Sequence, residues 1–292
     1  MKRTRLLTAA LSLVAVSAVA HAANERVLQR RYTKGLVETY AIKGTLSEGP
    51  GGAPEPFAIS ATTDLHMTVT TVAVAADGSA SQKMMIVDGQ ETIKSMTKII
   101  ETTFKDGRMT LKINGKPQDR GELYGGGSFG QPLAFRFDAR GRPLETAPIA
   151  SDSSSMCTMD PVIVQIPAIL PKGPATAGDS WLEKIKLPVY LVDSRKAELP
   201  MKYTYMFVGF EQYQDRQVAR LNFKGSGVVR AGGADNPAAS LALTMSGYEL
   251  FDYDAGTTLV RKVRMEQTNT GPAIGAAPVT SGYVVDYYAV RQ

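Results

Sequence analysis

The stretch ARLNFK at residues 219–224 alternates apolar and polar side chains at every step. Successive side chains of a β-strand point to opposite faces of the sheet, so this alternation is typical of a strand that buries one face. The stretches MTLKIN at residues 109–114 and FRFD at residues 135–138 repeat the pattern. The sequence therefore predicts a protein built mainly from half-buried strands.

Short turn signals separate these alternating runs. Asp-Gly and Asn-Gly pairs favour the positive φ angles that tight hairpin turns need. Such turns are predicted at Asp77-Gly78, Asp88-Gly89, Asp106-Gly107, Asn114-Gly115 and Ala255-Gly256. We expect about a dozen antiparallel strands joined as a meander. The predicted fold class is all-β, with two weakly similar halves that form a curved sheet, half-barrel or barrel and a short helix or apolar crossing between them.

The first residues have the layout of a cleavable signal peptide. A charged start, MKRTR, precedes an apolar stretch at residues 6–19 and the small-residue site Ala20-His21-Ala22. This layout predicts export through the general secretory route, to the periplasm or the extracellular space. The predicted organisation is a signal peptide at residues 1–22, a first β-rich half at 23–146, a linker at 147–180 and a second β-rich half at 181–292.

The linker contains the clearest break in the strand pattern. Asp160-Pro161 is typical of a helix start, because Asp caps the first turn and Pro fits its first position. Pro167 interrupts the apolar run that follows, and Pro171 ends it. Two alternatives therefore stay open, a short helix or an extended apolar crossing at residues 162–170. We expect this run to act as a plug that completes the core.

Two strand segments, residues 203–210 and 283–290, have apolar or aromatic side chains on both faces. In the first segment, Tyr203, Tyr205 and Phe207 lie opposite Met206, Val208 and Phe210. Both faces are predicted to be covered, since a curved sheet has its core on one side and a crossing helix, a second sheet, a bilayer or a ligand on the other.

Charge argues against a nucleic-acid partner. The net charge is +5, and Lys2, Arg3 and Arg5 of the predicted leader supply three of these charges. Binding to phosphates requires clustered Lys and Arg, whereas pairs such as Arg30-Arg31 and Arg261-Lys262 stand isolated. The sequence predicts no nucleic-acid binding.

Histidine and cysteine are too few for most metal or catalytic sites. Outside the leader the chain has one His, His66, and one Cys, Cys157, so it cannot build a His-rich or Cys-rich zinc site or an internal disulfide. His66 alternates in phase with Thr68 and Thr70, which places it on the polar face of its strand. No G-x-S-x-G motif accompanies it, and no catalytic residue, cofactor site or metal site is assigned.

Two further clusters have both a chemical and a structural interpretation. Asp252 and Asp254 lie two residues apart, which suits acid–base or calcium chemistry or merely a polar pair beside a turn. Met156, Cys157 and Met159 form a soft ligand set of the kind that selects Cu(I), or a free thiol beside packing methionines. The structural interpretation is favoured for both clusters.

A glycine-rich stretch resembles a phosphate-binding loop in its spacing. Gly125, Gly127 and Gly130 fit G-x-G-x-x-G, but that motif requires a helix to follow it. Here Pro132 and the alternating residues 133–137 follow instead. We therefore predict that the glycines permit a loop or a bend of the sheet and bind no nucleotide.

TKGLVETY at residues 33–40 and LPKGPATAGDSWLEKI at residues 170–185 resemble a family of exported, β-rich bacterial proteins of unknown function. That resemblance implies no chemistry and no site residues. In architecture the chain is similar to periplasmic lipoprotein carriers and lipocalin-like binders, in which a curved antiparallel sheet encloses an apolar cavity. This similarity implies that a hydrophobic small molecule or lipid is the partner.

The sequence supports two main functional hypotheses. In the first, an exported cell-envelope β-protein, not inserted in the membrane, binds an apolar or amphiphilic ligand in its sheet concavity. In the second, the chain is a structural or protein-interaction module whose own side chains fill that concavity. An outer-membrane barrel is disfavoured because Lys112, Arg136, Arg220, Lys224, Lys262 and Arg264 would face lipid. Nothing in the sequence names an enzymatic activity, and we predict that the chain is not an enzyme.

Overall fold

A computed structural model describes residues 25–48, 59–118, 130, 132–146, 166–190, 196–231, 239–274 and 277–292. Within these residues the fold is all-β with no helix, which confirms the predicted fold class. None of the described residues belongs to a helix of the length and apolarity needed to cross a membrane. The strands are β1 (Val37–Glu48), β2 (Ile59–Val74), β3 (Ala80–Ser95), β4 (Ile99–Lys105), β5 (Arg108–Ile113), β6 (Lys116–Gln118), β7 (Leu133–Phe137), β8 (Pro143–Thr146), β9 (Ser180–Tyr190), β10 (Lys196–Tyr213), β11 (Arg216–Ala231), β12 (Ala239–Asp252), β13 (Thr257–Ile274) and β14 (Ala277–Arg291).

All fourteen strands belong to one antiparallel sheet. Its order is β6-β5-β4-β3-β2-β1-β14-β13-β12-β11-β10-β9, so most neighbours in the sheet are neighbours in sequence, as a meander requires. The exceptions are β1, which pairs with β14 and joins the two halves of the chain, and β7, which pairs with β3. The sheet forks at β3, which pairs with β7 near its start and with β4 near its end.

The sheet curves but does not close. Within the described residues no backbone ladder joins β8 to β9, and side chains bridge the seam between them. Glu183 on β9 forms ion pairs with Arg140 and with Arg142, the latter over 3.0 Å. Arg142 also donates a hydrogen bond to the carbonyl of Lys184 over 2.6 Å. Within the described residues, strand hydrogen bonds therefore do not run continuously around the sheet, and side-chain contacts link its two edges.

The inner face of the sheet forms one apolar core. Along β10, Tyr203, Tyr205 and Phe207 are buried, while the alternate residues Thr204 and Met206 are exposed. Each buried side chain of this size contributes roughly 1.5–3 kcal/mol. The largest fully buried side chains are Phe137, Phe207, Phe251, Ile42, Leu65, Met67, Met84, Ile86, Ile169, Leu170, Leu199 and Met201.

The described residues do not cover the outer face at Met206 and Val208, so no helix or second sheet among them supplies the predicted cover. Met206 and Val208 are 37% and 41% exposed on the outer face. Their neighbours on that face, Thr204 and Lys224, are exposed polar residues. A bulge between Phe207 and Gly209 shifts the register.

The hairpin turns follow local chemistry at most of the predicted positions. Asp106-Gly107 and Asn114-Gly115 have positive φ at both residues, as tight hairpins require, and turns also occupy 77–78 and 253–256. The turn predicted at Asp88-Gly89 is wrong. Gly89 lies inside β3 at φ 143°, where its backbone approaches Asp64 and Leu65 too closely for a Cβ.

The two ends of the curved sheet differ. At the closed end, the N-terminal segment (residues 25–36) and the plug (residues 166–179) cross the strands. An isolated bridge between Arg26 and Ala175 joins these two segments, and the amide of Arg31 donates to the carbonyl of Gly256 over 3.0 Å. At the far end lie the opposite strand ends, such as Ser95 and Ala231.

Residues 166–170, the described part of the crossing predicted at 162–170, are extended and not helical. Ile166, Ala168, Ile169 and Leu170 are buried in the core. The indole Nε1 of Trp181 donates to the carbonyl of Ile169 over 2.8 Å, which fixes the plug to β9. The helix start suggested by Asp160-Pro161 lies outside the described residues.

Candidate functional site

A buried charge cluster joins the plug and the N-terminal segment to the sheet at the closed end. Glu249 on β12 is 0% exposed and pairs with Arg30 over 2.7 Å and with Arg261 over 3.2 Å. Its second oxygen also accepts the amide N–H of Ala168 over 2.7 Å. Arg30 in turn donates to the carbonyl of Ala168 over 2.7 Å. One carboxylate thus binds a strand, the plug and the N-terminal segment together.

The cluster strongly perturbs the carboxyl at its centre. Burial alone would raise the pKa of Glu249, but the charges of Arg30 and Arg261 outweigh it, and the pKa lies below its usual value. Glu249 therefore stays ionised between two guanidinium groups. Both arginines also lie over aromatic faces, Arg30 5.2 Å from the centroid of Phe251 and Arg261 5.0 Å from that of Phe223.

A second ion pair lies beside the first. Glu38 at the start of β1 pairs with Arg291 at the end of β14 over 3.1 Å. Burial raises the pKa of Glu38, and Arg291 and Arg30 only partly offset this effect. The hydroxyl of Tyr40 donates to the carbonyl of Thr258 over 3.1 Å. The first and last strands are thus tied to each other and to β13 at this end.

A cleft of about 50 Å³ opens between these groups. The volume accommodates a few water molecules or one small anion; it is far below the roughly 300–1,000 Å³ typical of pockets for drug-sized ligands. The lining residues are Arg30, Arg31, Tyr32, Glu38, Tyr40 and Arg261, together with Leu36, Val69, Thr71, Gln82, Met84, Pro167, Gly256, Thr257 and Thr258.

The middle of the concave face is filled by the chain's own aromatic rings. A Cβ on Gly44 would collide with the ring of Tyr287, and a Cβ on Gly225 with the ring of Tyr203. Inward glycines therefore leave room for rings that pack across the strands. The hydroxyl of Tyr203 lies 3.0 Å from the sulfur of Met245. The space directly beside Gly44 and Gly225 is therefore occupied, at Gly44 also by the hydroxyl of Thr63.

A different polar feature lies toward the far end. Glu91 on β3 is 8% exposed and forms no hydrogen bond or ion pair with another described residue. Burial raises its pKa to about 7. Thr63 lies opposite it in the β2–β3 register, and the Thr63 hydroxyl is buried without a hydrogen-bond partner among the described residues. Two inward polar side chains thus face an apolar interior.

His66 lies where its strand pattern placed it, half-exposed on the outer face of β2. Its Nδ1 is 2.6 Å from Oδ1 of Asp88 on the neighbouring strand. Within the described residues no hydroxyl or thiol hydrogen-bonds to His66, so the pair has no nucleophile beside it. Among the described residues this arrangement is a cross-strand surface pair.

The carboxylate of Asp252 stabilises the turn that contains Asp254. One oxygen of Asp252 accepts the amides of Asp254 and Ala255 over 3.0 and 2.8 Å, and the other accepts Arg216 over 2.8 Å. Asp254 is exposed. Among the residues that the structure describes, no three His, Cys, Asp or Glu side chains are grouped as a metal site requires.

Other predicted features are only partly described. Gly130 has φ 68° and donates its amide to the carbonyl of Ile86 over 3.0 Å. The strand β7 follows it, as expected for a loop before a sheet. Gly125, Gly127 and the cluster Met156, Cys157 and Met159 lie outside the described residues. The cations Lys112, Lys224, Lys262 and Arg264 are exposed.

The sequence arguments did not find Glu249, Arg261 or Arg30. The first two were detectable, because Glu249 is in phase with the inward Met245 and Arg261 with the inward Met265. A charged residue at an inward position of a strand signals a buried partner. Arg30 carries no such signal, since its segment is not a strand.

Comparisons with known proteins leave the chain without an assigned family. No protein-family model matches it, and no curated protein matches it. Among solved structures it is similar to an outer membrane channel from Pseudomonas putida F1, at 8% identity over 90% of this chain and 97% of that chain, with a TM-score of 0.22. A score this low does not establish a shared fold and says nothing of what this chain binds. The resemblance to exported bacterial proteins therefore stays a prediction.

Proposed function

We propose that this chain is an exported cell-envelope β-protein that binds an apolar or amphiphilic molecule at the far end of its concave face. Export rests on the leader layout of residues 1–22. Exposed cations such as Lys262 and Arg264 on the outer face support a sheet surrounded by water, because such charges are costly against lipid.

The observation that carries the proposal is the unequal filling of the inner face. At the closed end the plug covers the strands, and Ile169 and Leu170 are 0% exposed. Toward the far end four inner apolar side chains, those of Ile93, Val189, Ala197 and Val229, are only partly buried, whereas Leu46, Leu199 and Leu241 are buried there. Incompletely covered apolar surface on a concave face is the usual lining of a site for a hydrophobic ligand.

The polar pair near this surface supports an amphiphile over a pure hydrocarbon. Glu91 and Thr63 face inward from adjacent strands, and neither has a polar partner among the described residues. A buried polar group without a partner destabilises the fold unless something else binds it. The hydroxyl or amine of a bound amphiphile would supply a hydrogen bond to them.

The filled closed end favours a second candidate, a structural or protein-interaction module without a ligand. Its core is completed by the plug and by aromatic rings over glycines, as in a domain that needs no ligand to be stable. In this case the far end would bind nothing, and the two candidates therefore differ in a single measurable property.

A fluorescent probe distinguishes them. N-phenyl-1-naphthylamine, an apolar dye that brightens in apolar surroundings, is titrated into the purified chain. Val229→Trp would fill the far end from the inside, whereas Val228→Trp places the same side chain on the outer face, where Val228 is 53% exposed. We expect saturable binding that is weakened about tenfold or more by Val229→Trp and unchanged by Val228→Trp.

Ala197→Phe provides a second blocking variant on the adjacent strand, and circular dichroism verifies that each variant is folded. Mass spectrometry of lipid extracts from gently purified protein completes the experiment. Absence of dye binding together with absence of co-purified lipid would support the ligand-free module. Equal dye binding by the Val228→Trp and folded Val229→Trp variants would also overturn the proposed location.

A further inference from the structure

The closed-end cleft has unused hydrogen-bonding capacity. Arg261 is 4% exposed and donates one hydrogen bond, to Glu249 over 3.2 Å, within the described residues. Its Nε is buried without an acceptor there, and so is the Nε of Arg30. A guanidinium has several N–H donors, and buried donors normally find acceptors. Arg261, which lines the cleft, therefore has at least one N–H donor, that of Nε, without an acceptor among the described residues.

Charge in and around the cleft is also unbalanced. The described residues in and around the cleft carry four guanidinium groups, those of Arg30, Arg31, Arg261 and Arg291. They carry two carboxylates, those of Glu38 and Glu249. Neighbouring carboxylates are engaged elsewhere: Asp252 pairs with Arg216, and Asp138 accepts the amides of Arg140 and Arg142. The buried Arg30 and Arg261 are thus matched by the buried Glu38 and Glu249, and the excess of positive charge comes from the half-buried Arg291 and the exposed Arg31.

From this geometry we propose that the closed-end cleft binds a small oxyanion, a phosphate or carboxylate group, through Arg261 and Arg31. An oxyanion accepts several charge-assisted hydrogen bonds from guanidinium groups. Arg261 has an N–H donor without an acceptor among the described residues. The cleft of about 50 Å³ has room for one such group and for no hydrocarbon chain. Arg31 is exposed and borders the cleft, so an anion has a cationic entrance.

This site is separate from the proposed ligand site, because the cleft lies at the closed end beyond the aromatic-filled middle of the concave face. Each proposal can therefore fail without the other. The oxyanion could be a free ion or the terminal group of a larger molecule, and the chemistry of the cleft is the same for both.

Calorimetry with inorganic phosphate and with glycerol 3-phosphate, each against chloride at equal ionic strength, tests the proposal. We expect saturable binding of phosphate. Binding of both compounds identifies a terminal phosphate group as an acceptable ligand, and binding of inorganic phosphate alone identifies a free ion. Heat no greater than that of chloride for either compound, as expected if the cleft holds only water, would overturn the proposal.

Variants locate the binding. Arg261→Gln is expected to raise the Kd about tenfold, since it removes a charged hydrogen-bond donor, and Arg31→Gln to raise it several-fold. Arg264→Gln on the outer face of the same strand is the matched control and leaves the Kd unchanged. If Arg261→Gln does not fold, Arg31→Gln decides alone, because Arg31 is exposed. Wild-type affinity in Arg31→Gln with a native circular dichroism spectrum would refute the site.

Discussion

Two buried glutamates on the inner face differ in their partners and in the direction of their pKa shift. One is Glu249 at the closed end, and the other is Glu91 toward the far end. Glu249 has two arginines and a backbone N–H as partners, and its pKa lies below the usual value. Glu91 has no partner among the described residues, and burial raises its pKa to about 7. The same residue type is thus a structural anion at one end and an uncompensated group at the other.

The difference comes from segments outside the sheet. Arg30 belongs to the N-terminal segment and the amide of Ala168 to the plug, and both segments cross the strands only at the closed end. Opposite Glu91 the described residues offer no such crossing. A half-buried sheet supplies only its neighbouring strands as partners, and Thr63 and Thr102, which flank Glu91 in the register, carry no charge.

Removal of the Glu249 charge should cause the largest change in the free energy of unfolding. Glu249→Gln leaves Arg30 and Arg261 buried without their counter-ion, and breaking a buried ion pair in this way costs about 3–5 kcal/mol. Urea denaturation at pH 7 gives the free energy of unfolding. Glu266→Gln, whose side chain is 44% exposed on the outer face, is the control and should change it by less than about 0.5 kcal/mol.

A loss below about 1 kcal/mol in Glu249→Gln would mean that water reaches the cluster in solution and compensates the two arginines. The closed end would then resemble the far end, and the contrast between the two glutamates would disappear.

Neutralising Glu91 should raise the free energy of unfolding, by less than neutralising Glu249 lowers it. Its pKa is about 7 when folded against 4.5 in the unfolded chain, so the folded state loses stability as pH rises from about 4.5 to 7. Glu91→Gln removes this loss and should stabilise the protein at pH 8 by on the order of 2–3 kcal/mol, with little change at pH 4. Urea unfolding between pH 4 and pH 8 measures both values.

Glu101→Gln is the matched control, because Glu101 is exposed on the adjacent β4. It should show no such pH-dependent gain. Glu249 gives an internal reference, since its lowered pKa makes its contribution present at neutral pH and lost as pH falls through that folded value. A pH-independent effect of Glu91→Gln would contradict the uncompensated state of Glu91.

The sequence could predict the sheet but not the pairing of its charges. Alternation of side chains and turn pairs such as Asn114-Gly115 are signals that lie within a few residues of sequence. Strands and local turns could therefore be predicted from the sequence. The Gln214-Asp215 turn, with φ of 48° and 62°, was missed because it contains no glycine. The Asp88-Gly89 turn was wrong since contact with β2 decides that backbone. Arg30 and Glu249 are 219 residues apart, and no local pattern joins them.

The smallest effect tests whether the far end is truly without polar partners. Thr63→Val removes a buried hydroxyl that has no acceptor or donor among the described residues and keeps the side-chain shape. We therefore expect a gain of about 1 kcal/mol in the free energy of unfolding, against no change beyond about 0.5 kcal/mol for Thr62→Val, which is exposed on the outer face. Destabilisation by Thr63→Val would mean that this hydroxyl is bonded in solution, to water or to a ligand beside Glu91, and the far end would then be a second polar junction like the one around Glu249.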